Sequence, residues 1–324
     1  MMSRWCGLWL AGDTLRAVPH EVAGGPIEGA WRVLTRRMAG KLLAASSVAY
    51  AVRPLHALEE QAVNDISVMM WTMNRMGTFE ENLERVAQAG YRYVELVNEY
   101  KRWTPEQKQR ILARMKALGI GIDAMTGMVR GFADPAGVAA FVAELKALLP
   151  AAKELGCGQI ILMSGKRLAG VSAEEQHRAA VETLTQAAPV LAESGVTGVI
   201  EPIDRIENPT MYLDGVTEAF AMVNAVNSPN VKVLYDLYHE QREYGNLIEK
   251  LNANIAQVGL VHVADVPGRG KPGSGEINYM NIYRRLGELK YKGRIAMEFT
   301  PDGDIIECLR KAREDAVRGL SGQV

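Results

Sequence analysis

From residue 66 onward the chain alternates short apolar runs with longer amphipathic segments, and this alternation restricts the fold more than any other feature. Eight strand-like runs occur in about 255 residues, each followed by a helix-like segment. The runs are continuously apolar, which is typical of strands with both faces buried in a parallel sheet. Predicted strands cover 66–71, 91–97, 120–125, 159–163, 198–201, 231–236, 258–263 and 294–299, and predicted helices cover 79–89, 104–118, 134–155, 172–193, 215–226, 244–251, 279–289 and 302–317.

Repeated strand–helix units predict a parallel sheet, because right-handed crossovers return each strand beside the last one. Eight units of this total length favour a closed (β/α)8 TIM barrel over an open doubly wound sheet. We expect this barrel to occupy residues 64–324. No glycine-rich GxGxxG sequence follows the first predicted strand, so no nucleotide cofactor is predicted.

Residues 1–63 lack this alternation and form a predicted N-terminal extension. Within it, Arg36 and Arg37 precede an alanine-rich stretch that ends near Ala57. A segment of this kind, over about residues 33–57, resembles a twin-arginine export signal. The resemblance predicts a periplasmic protein; the alternative is an amphipathic helix retained on a cytoplasmic one.

Composition favours a small-molecule partner over a nucleic acid or a membrane. The formal net charge is −1, which provides no overall basic character for binding nucleic acid. No apolar run reaches the roughly 20 residues that span a bilayer, so no stable membrane insertion is predicted. The three cysteines, Cys6, Cys157 and Cys308, are widely separated, which argues against a structural zinc site or a disulfide framework.

Four ionisable residues lie at or near the ends of the last four predicted strands: Glu201, Asp236, His262 and Glu298. In a barrel of this kind the active site lies at the carboxyl ends of the strands. Each residue follows a buried apolar run, where an unpaired charge costs several kcal/mol, and one shared cation would stabilise all four. Three carboxylates and one imidazole suit magnesium or manganese, with cobalt or zinc as alternatives.

Several motifs resemble those of the hydroxypyruvate isomerases, within the wider xylose isomerase-like superfamily. The resemblance covers roughly residues 66–315 and is strongest in four segments, which read Ile200-Glu201-Pro202-Ile203, Tyr235-Asp236-Leu237-Tyr238-His239, His262-Val263-Ala264-Asp265 and Gly275-Glu276-Ile277-Asn278. It implies a metal-dependent isomerase that interconverts hydroxypyruvate and tartronate semialdehyde through an enediolate. It also implies that Glu201, Asp236, His262 and Glu298 hold the cation. Related barrels often associate, so a homo-oligomer is expected.

The resemblance also implies roles for individual residues. Glu201 and Glu298 would form the acid/base pair, and His239 would polarise a substrate oxygen. Arg269 and Lys166 match positions that contact the substrate, which would be a small hydroxy-keto acid or a sugar. Glu95 lies at the end of the second predicted strand, and on that ground alone we interpret it as a residue that orients a substrate hydroxyl.

Other functions of the same superfamily remain alternatives. A ketose 3-epimerase or another sugar isomerase would use the same cation, and His262 favours it because hydroxypyruvate isomerases often have glutamine there. Epimerases, however, need no cation partner for a substrate carboxylate. An enzyme like endonuclease IV would need several metals and a basic groove, and the net charge argues against it. The complete four-ligand set argues against a barrel that has lost catalysis.

Overall fold

The computed structural model describes residues 9–11, 14–16 and 66–323. The chain divides into two units, Met1–Leu55 and His56–Val324. In the first unit, strands β1 (Trp9–Ala11) and β2 (Thr14–Arg16) pair antiparallel. The predicted export signal at about 33–57 lies outside the described residues. No helix in the described part of the chain is long and apolar enough to cross a membrane.

Eight parallel strands in the second unit close into a barrel, which confirms the predicted fold. Neighbouring strands in sequence are neighbours in the sheet, and the last strand closes the barrel by pairing with the first and with the seventh. The strands are β3 (Ile66–Met69), β4 (Tyr93–Val97), β5 (Gly121–Thr126), β6 (Gln159–Met163), β7 (Thr197–Glu201), β8 (Val231–Asp236), β9 (Val258–Val263) and β10 (Arg294–Met297).

Helices follow the strands as the sequence predicts, and several begin at well-formed caps. The side chains of Thr78 and Thr104 each accept a hydrogen bond from the backbone N–H three residues later. The side chains of Glu81 and Gln107 accept one from the N–H of Thr78 and Thr104, respectively, so both helix starts are capping boxes. The helices are α1 (Phe79–Gln88), α2 (Pro105–Leu118), α3 (Val138–Glu154), α4 (Ala173–Glu193), α5 (Val216–Val226), α6 (Leu237–Glu243), α7 (Leu247–Asn254), α8 (Tyr279–Glu288) and α9 (Ile305–Leu320).

The helix predicted from residue 134 begins four residues later, at Val138. Asp134 Oδ1 accepts a hydrogen bond from the N–H of Ala136 at 2.9 Å. This local bond holds a turn in place of the first helical turn, as aspartate side chains often do.

The helix predicted at 244–251 corresponds to α7 (Leu247–Asn254), and a further helix, α6 (Leu237–Glu243), precedes it. Asp236 Oδ1 accepts hydrogen bonds from the N–H groups of Tyr238 and His239, so the residue that ends β8 also caps α6. The sequence prediction assigned Asp236 to the strand only, and therefore missed the helix that carries His239.

An apolar layer fills the interior of the barrel beneath the strand ends. Seven strands each contribute one fully or almost fully buried residue: Met69, Ala124, Ile161, Val199, Leu234, Leu260 and Ala296. Side chains packed in this way exclude water from the base of the site, because a TIM barrel interior is a packed core and not a channel.

Val199→Ala tests the contribution of this layer, since Val199 is 0% exposed and lies two residues before Glu201 on β7. Deleting two buried carbons should lower the free energy of unfolding by about 2 kcal/mol, because transfer and cavity costs add. Val129→Ala is the matched control: Val129 is 89% exposed, so the change should stay within about 0.5 kcal/mol. Urea unfolding measures both, and equal effects would contradict a packed interior.

Candidate active site

The four residues at the strand ends converge in the folded barrel. Asp236 and His262 are direct partners across β8 and β9, Glu201 is the last residue of β7, and Glu298 follows β10 directly. One ligand atom from each residue lies within 4.8 Å of the others, and all four side chains are buried. Parallel strands in register bring these groups together although they span almost one hundred positions of sequence.

The chemistry of this donor set fits a divalent cation. Glu201 is 7% exposed, and no hydrogen-bond or ion-pair partner of its carboxylate is found among the described residues. Burial, together with the nearby charge of Glu298, raises the pKa of Glu201 to about 7. A cation held by three oxygens and one nitrogen would supply the partner that this buried carboxylate lacks.

The surroundings of Glu298 lower its pKa, whereas those of Glu201 raise it. Burial alone would raise its pKa, but the charges of Arg269 and His262 outweigh burial and hold the pKa well below its ordinary value. Arg269 Nη2 lies 2.7 Å from Glu298 Oε2, and His262 Nδ1 lies 2.5 Å from the same oxygen. Trp71 Nε1 donates to the other oxygen at 2.8 Å. Glu298 is therefore ionised and fixed in position.

Arg269 lies at the rim of the cluster on the loop after β9. Its Nη2 is also 2.9 Å from Asp236 Oδ2, and its guanidinium lies over the ring of Tyr238 at 4.9 Å. The backbone of Arg269 has φ +55°, a left-handed conformation that is uncommon outside glycine. Paired backbone hydrogen bonds between Asp265 and Gly270 on either side of the turn hold it there.

Asp265 organises the rest of this loop, a role that the sequence analysis did not assign. Its carboxylate accepts hydrogen bonds from the N–H groups of Gly273, Gly275 and Ile277 at 2.8–3.0 Å. Position 275 has room only for glycine, because a Cβ atom there would lie 2.0 Å from the carbonyl oxygen of Val266. The Gly275-Glu276-Ile277-Asn278 motif is thus explained by loop geometry.

His239 projects from the first turn of α6 and is held by Asp204. Its Nδ1 lies 2.6 Å from Asp204 Oδ2, and its Nε2 faces Arg269 Nη1 at 3.2 Å. Burial alone would lower the pKa of His239, but Asp236 and the hydrogen bond to Asp204 outweigh it and raise the pKa to about 8. The imidazole is therefore fixed at the edge of the cluster, with Nδ1 donating to Asp204 and Nε2 facing the guanidinium of Arg269.

The two remaining predicted residues lie in different surroundings. Lys166 is exposed on the loop after β6, and its amine has no polar partner within the described part of the chain. Glu95 is 0% exposed on β4, and its Oε2 lies 2.9 Å from His262 Nε2. The contacts of Glu95 are therefore with His262, beneath the four-residue cluster.

Sequence reasoning missed Asp204 and Glu207, which contact His239 and Arg269 respectively. Both belong to the Glu201-Pro202-Ile203-Asp204-Arg205-Ile206-Glu207 segment that leaves β7. Acidic residues three and six positions after a strand-end ligand were an available indication of further site residues, because loops at this end of the barrel line the site.

Fold and site together define the class of this protein. The model of the xylose isomerase-like TIM barrel family matches residues 83–319, and the chain belongs to that family. The predicted membership is confirmed. A solved relative with this fold, the AP endonuclease, family 2, from Brucella melitensis, superposes with a TM-score of 0.69 at 26% identity, covering 76% of this chain and 96% of that one.

Within the family, the chain is similar to proteins named as isomerases. It is 32% identical over 237 residues to the hydroxypyruvate isomerase of Escherichia coli (strain K12), which covers 69% of this chain and 88% of the relative. It is 29% identical over 237 residues to the 2-oxo-tetronate isomerase of Haemophilus influenzae, which covers 70% and 90% respectively. These relatives confirm the predicted enzyme class.

Asp204→Asn tests how His239 is held. Asparagine keeps the oxygen that accepts from the N–H groups of Ile206 and Glu207 but removes the charge beside His239 Nδ1. The pKa of His239 should fall from about 8 towards its ordinary value of about 6.5 or below, because burial is then less opposed. A ¹⁵N NMR titration of the metal-free protein measures it.

Glu218→Gln is the matched control for this titration. It removes a 2.6 Å carboxylate contact from a different histidine, His177, and should leave the His239 titration unchanged. A His239 pKa that stays near 8 in Asp204→Asn would contradict the role assigned to Asp204.

Proposed function

We propose that this protein is a divalent-metal-dependent isomerase that interconverts hydroxypyruvate and tartronate semialdehyde. The convergence of Glu201, Asp236, His262 and Glu298 on one point supports this activity most strongly. The similarity to hydroxypyruvate isomerase supports the choice of substrate. Magnesium or manganese suits the oxygen-rich donors best, with cobalt or zinc as alternatives.

These four residues would hold the cation. When bound, such a cation polarises the adjacent carbonyl and hydroxyl oxygens of an α-hydroxy carbonyl compound and stabilises the negative charge that develops there. The apolar layer below the site excludes water from that side, which strengthens every electrostatic interaction with the substrate.

Glu298 and Glu201 would transfer the proton between the two carbons. Glu298 is ionised, and one of its oxygens could accept the proton bound to carbon once a contact with Trp71, Arg269 or His262 gives way to the cation and the substrate. Glu201 has a pKa near 7, so it can hold a proton at neutral pH and deliver it to the neighbouring carbon. Two carboxyl groups whose surroundings drive their pKa values apart are typical of an acid/base pair.

The substrate-side groups suit an anionic keto acid. His239 is oriented by Asp204, and its Nε2 could reach a substrate oxygen only if its contact with Arg269 gave way. Arg269 is paired with Asp236, Glu298 and Glu207, so it would bind a substrate carboxylate by exchanging one of these contacts. Lys166 is exposed on the loop after β6, and a positive charge there would favour a hydroxy-keto acid over an uncharged ketose.

A longer hydroxy-keto acid is the second candidate substrate, because the chain is also similar to a 2-oxo-tetronate isomerase. The proton transfer would be the same, and only the chain beyond the reacting carbons would differ. Epimerisation of a ketose at carbon 3 is a third candidate, favoured by histidine at position 262.

Turnover by the purified full-length protein tests this function. The protein is stripped with EDTA, then supplied with magnesium or manganese and hydroxypyruvate, and ¹H NMR follows the product. Tartronate semialdehyde should form with metal and stop forming when chelator is added. A folded protein that binds the cation but leaves hydroxypyruvate unchanged would exclude this substrate and direct the assay to 2-oxo-tetronate and ketoses.

The same assay, applied to the variants Glu298→Gln and Glu288→Gln, tests the role of Glu298 in proton transfer. Glu298→Gln should lower kcat by about 10²–10⁴-fold, because an amide cannot accept the proton. Glu288 is exposed at the end of α8, so Glu288→Gln should leave kcat unchanged. Retained activity in Glu298→Gln, with native circular dichroism, would refute the assigned role.

We also propose that residues 1–63 precede the catalytic barrel of residues 64–324 as an extension, and that about 33–57 directs export to the periplasm. Paired Arg36 and Arg37 before the alanine-rich stretch support this. N-terminal sequencing of the protein produced in a bacterial host with this export route should find a start near residue 58. A mature chain that begins at Met1 or Met2 would contradict export by cleavage.

A further inference from the structure

Glu95 is a buried carboxylate of the barrel interior that lies between two apolar residues. Its Cα partners are Met69 on β3 and Ala124 on β5, and both belong to the buried interior layer. The side chain is 0% exposed. An unpaired carboxylate at such a position costs several kcal/mol, so its contacts must explain why it is there.

His262 is the only ion-pair partner of Glu95 in the described part of the chain. Glu95 Oε2 lies 2.9 Å from His262 Nε2, which is an ion-pair distance, although neither atom makes a hydrogen bond of regular geometry among the described residues. The hydroxyl of Ser67 donates to the other carboxylate oxygen at 3.4 Å. The charge of the carboxylate is therefore placed against the far nitrogen of the imidazole.

The imidazole of His262 lies between two carboxylates from different strands of the barrel. Its Nδ1 faces Glu298 Oε2 at 2.5 Å, within the cluster at the strand ends. Its Nε2 faces Glu95, which is not part of that cluster. Nδ1 is thus the nitrogen presented to the cluster, and Nε2 is the nitrogen turned away from it.

We propose that Glu95 is a positioning residue for the metal centre: in the metal-bound protein its carboxylate, placed against Nε2 of His262, would hold the proton on Nε2 and leave Nδ1 to face the cation. This inference rests on the metal site of the proposed function. A carboxylate on the second nitrogen of a ligating histidine fixes the tautomer and the ring orientation, and its loss typically weakens metal binding by 10- to 100-fold. Because the side chain is fully buried, Glu95 acts through His262 and not on the substrate.

Metal affinity of the full-length protein tests the proposal. Calorimetric titration of the EDTA-stripped protein with Mn²⁺ gives the Kd for wild type, Glu95→Gln and Glu99→Gln. Glu95→Gln should raise the Kd by about 10- to 100-fold. Glu99 is a buried carboxyl just after β4, and no contact between it and the four candidate ligands is found among the described residues, so Glu99→Gln should leave the Kd within about twofold of wild type.

A wild-type measurement keeps the test independent of how the variant folds. With Mg²⁺ bound, ¹⁵N NMR should show the proton of His262 on Nε2 and none on Nδ1. A proton on Nδ1, or a Kd for folded Glu95→Gln within twofold of wild type, would overturn the role of Glu95. An equal loss of affinity in Glu99→Gln would also overturn it, since the effect would then follow from any buried carboxyl.

Failure of the proposed function gives a different result. If wild type does not bind Mn²⁺ at all, both the metal site and the role of Glu95 are refuted. If wild type binds Mn²⁺ but does not isomerise hydroxypyruvate, only the substrate assignment fails, and the comparison of Kd values still decides the role of Glu95.

Discussion

Crowding of like charge at the strand ends is the constraint on which the site depends. Three buried carboxylates, Glu201, Asp236 and Glu298, lie within a few ångströms, where their repulsion is only weakly screened. Arg269 and His262 balance part of this charge, and both contact Glu298. Glu201 remains without a partner among the described residues. The site thus combines an ionised carboxylate with one that holds a proton near neutral pH.

The sequence predicted the barrel well because its strands are short, continuous apolar runs. Strands Gln159–Met163, Val231–Asp236 and Val258–Val263 have the predicted bounds. Closure of a parallel barrel then places all strand ends at one rim, so convergence of the candidate ligands follows from topology without any knowledge of side-chain contacts. This is why residues far apart in sequence could be grouped in advance.

What the sequence could not provide are contacts that depend on register and on tertiary neighbours. The hydrogen bond between Asp204 and His239 joins the loop after β7 to the first turn of α6, and neither segment has a local pattern that indicates it. Glu95 lies near the end of a predicted strand, as the four candidate ligands do, but its carboxylate is fully buried against the far nitrogen of His262. Helix α6 was missed because Asp236 both ends strand β8 and caps the helix, and the sequence analysis assigned it to the strand alone.

That double use of Asp236 has a consequence for how the enzyme can diversify. One carboxylate oxygen holds the start of α6, and the other faces Arg269. A shift in this side chain would therefore also displace His239, so these three groups are constrained to vary as a unit. New substrate preferences would more readily arise at Lys166, whose side chain is exposed on the loop after β6 and has no polar partner among the described residues.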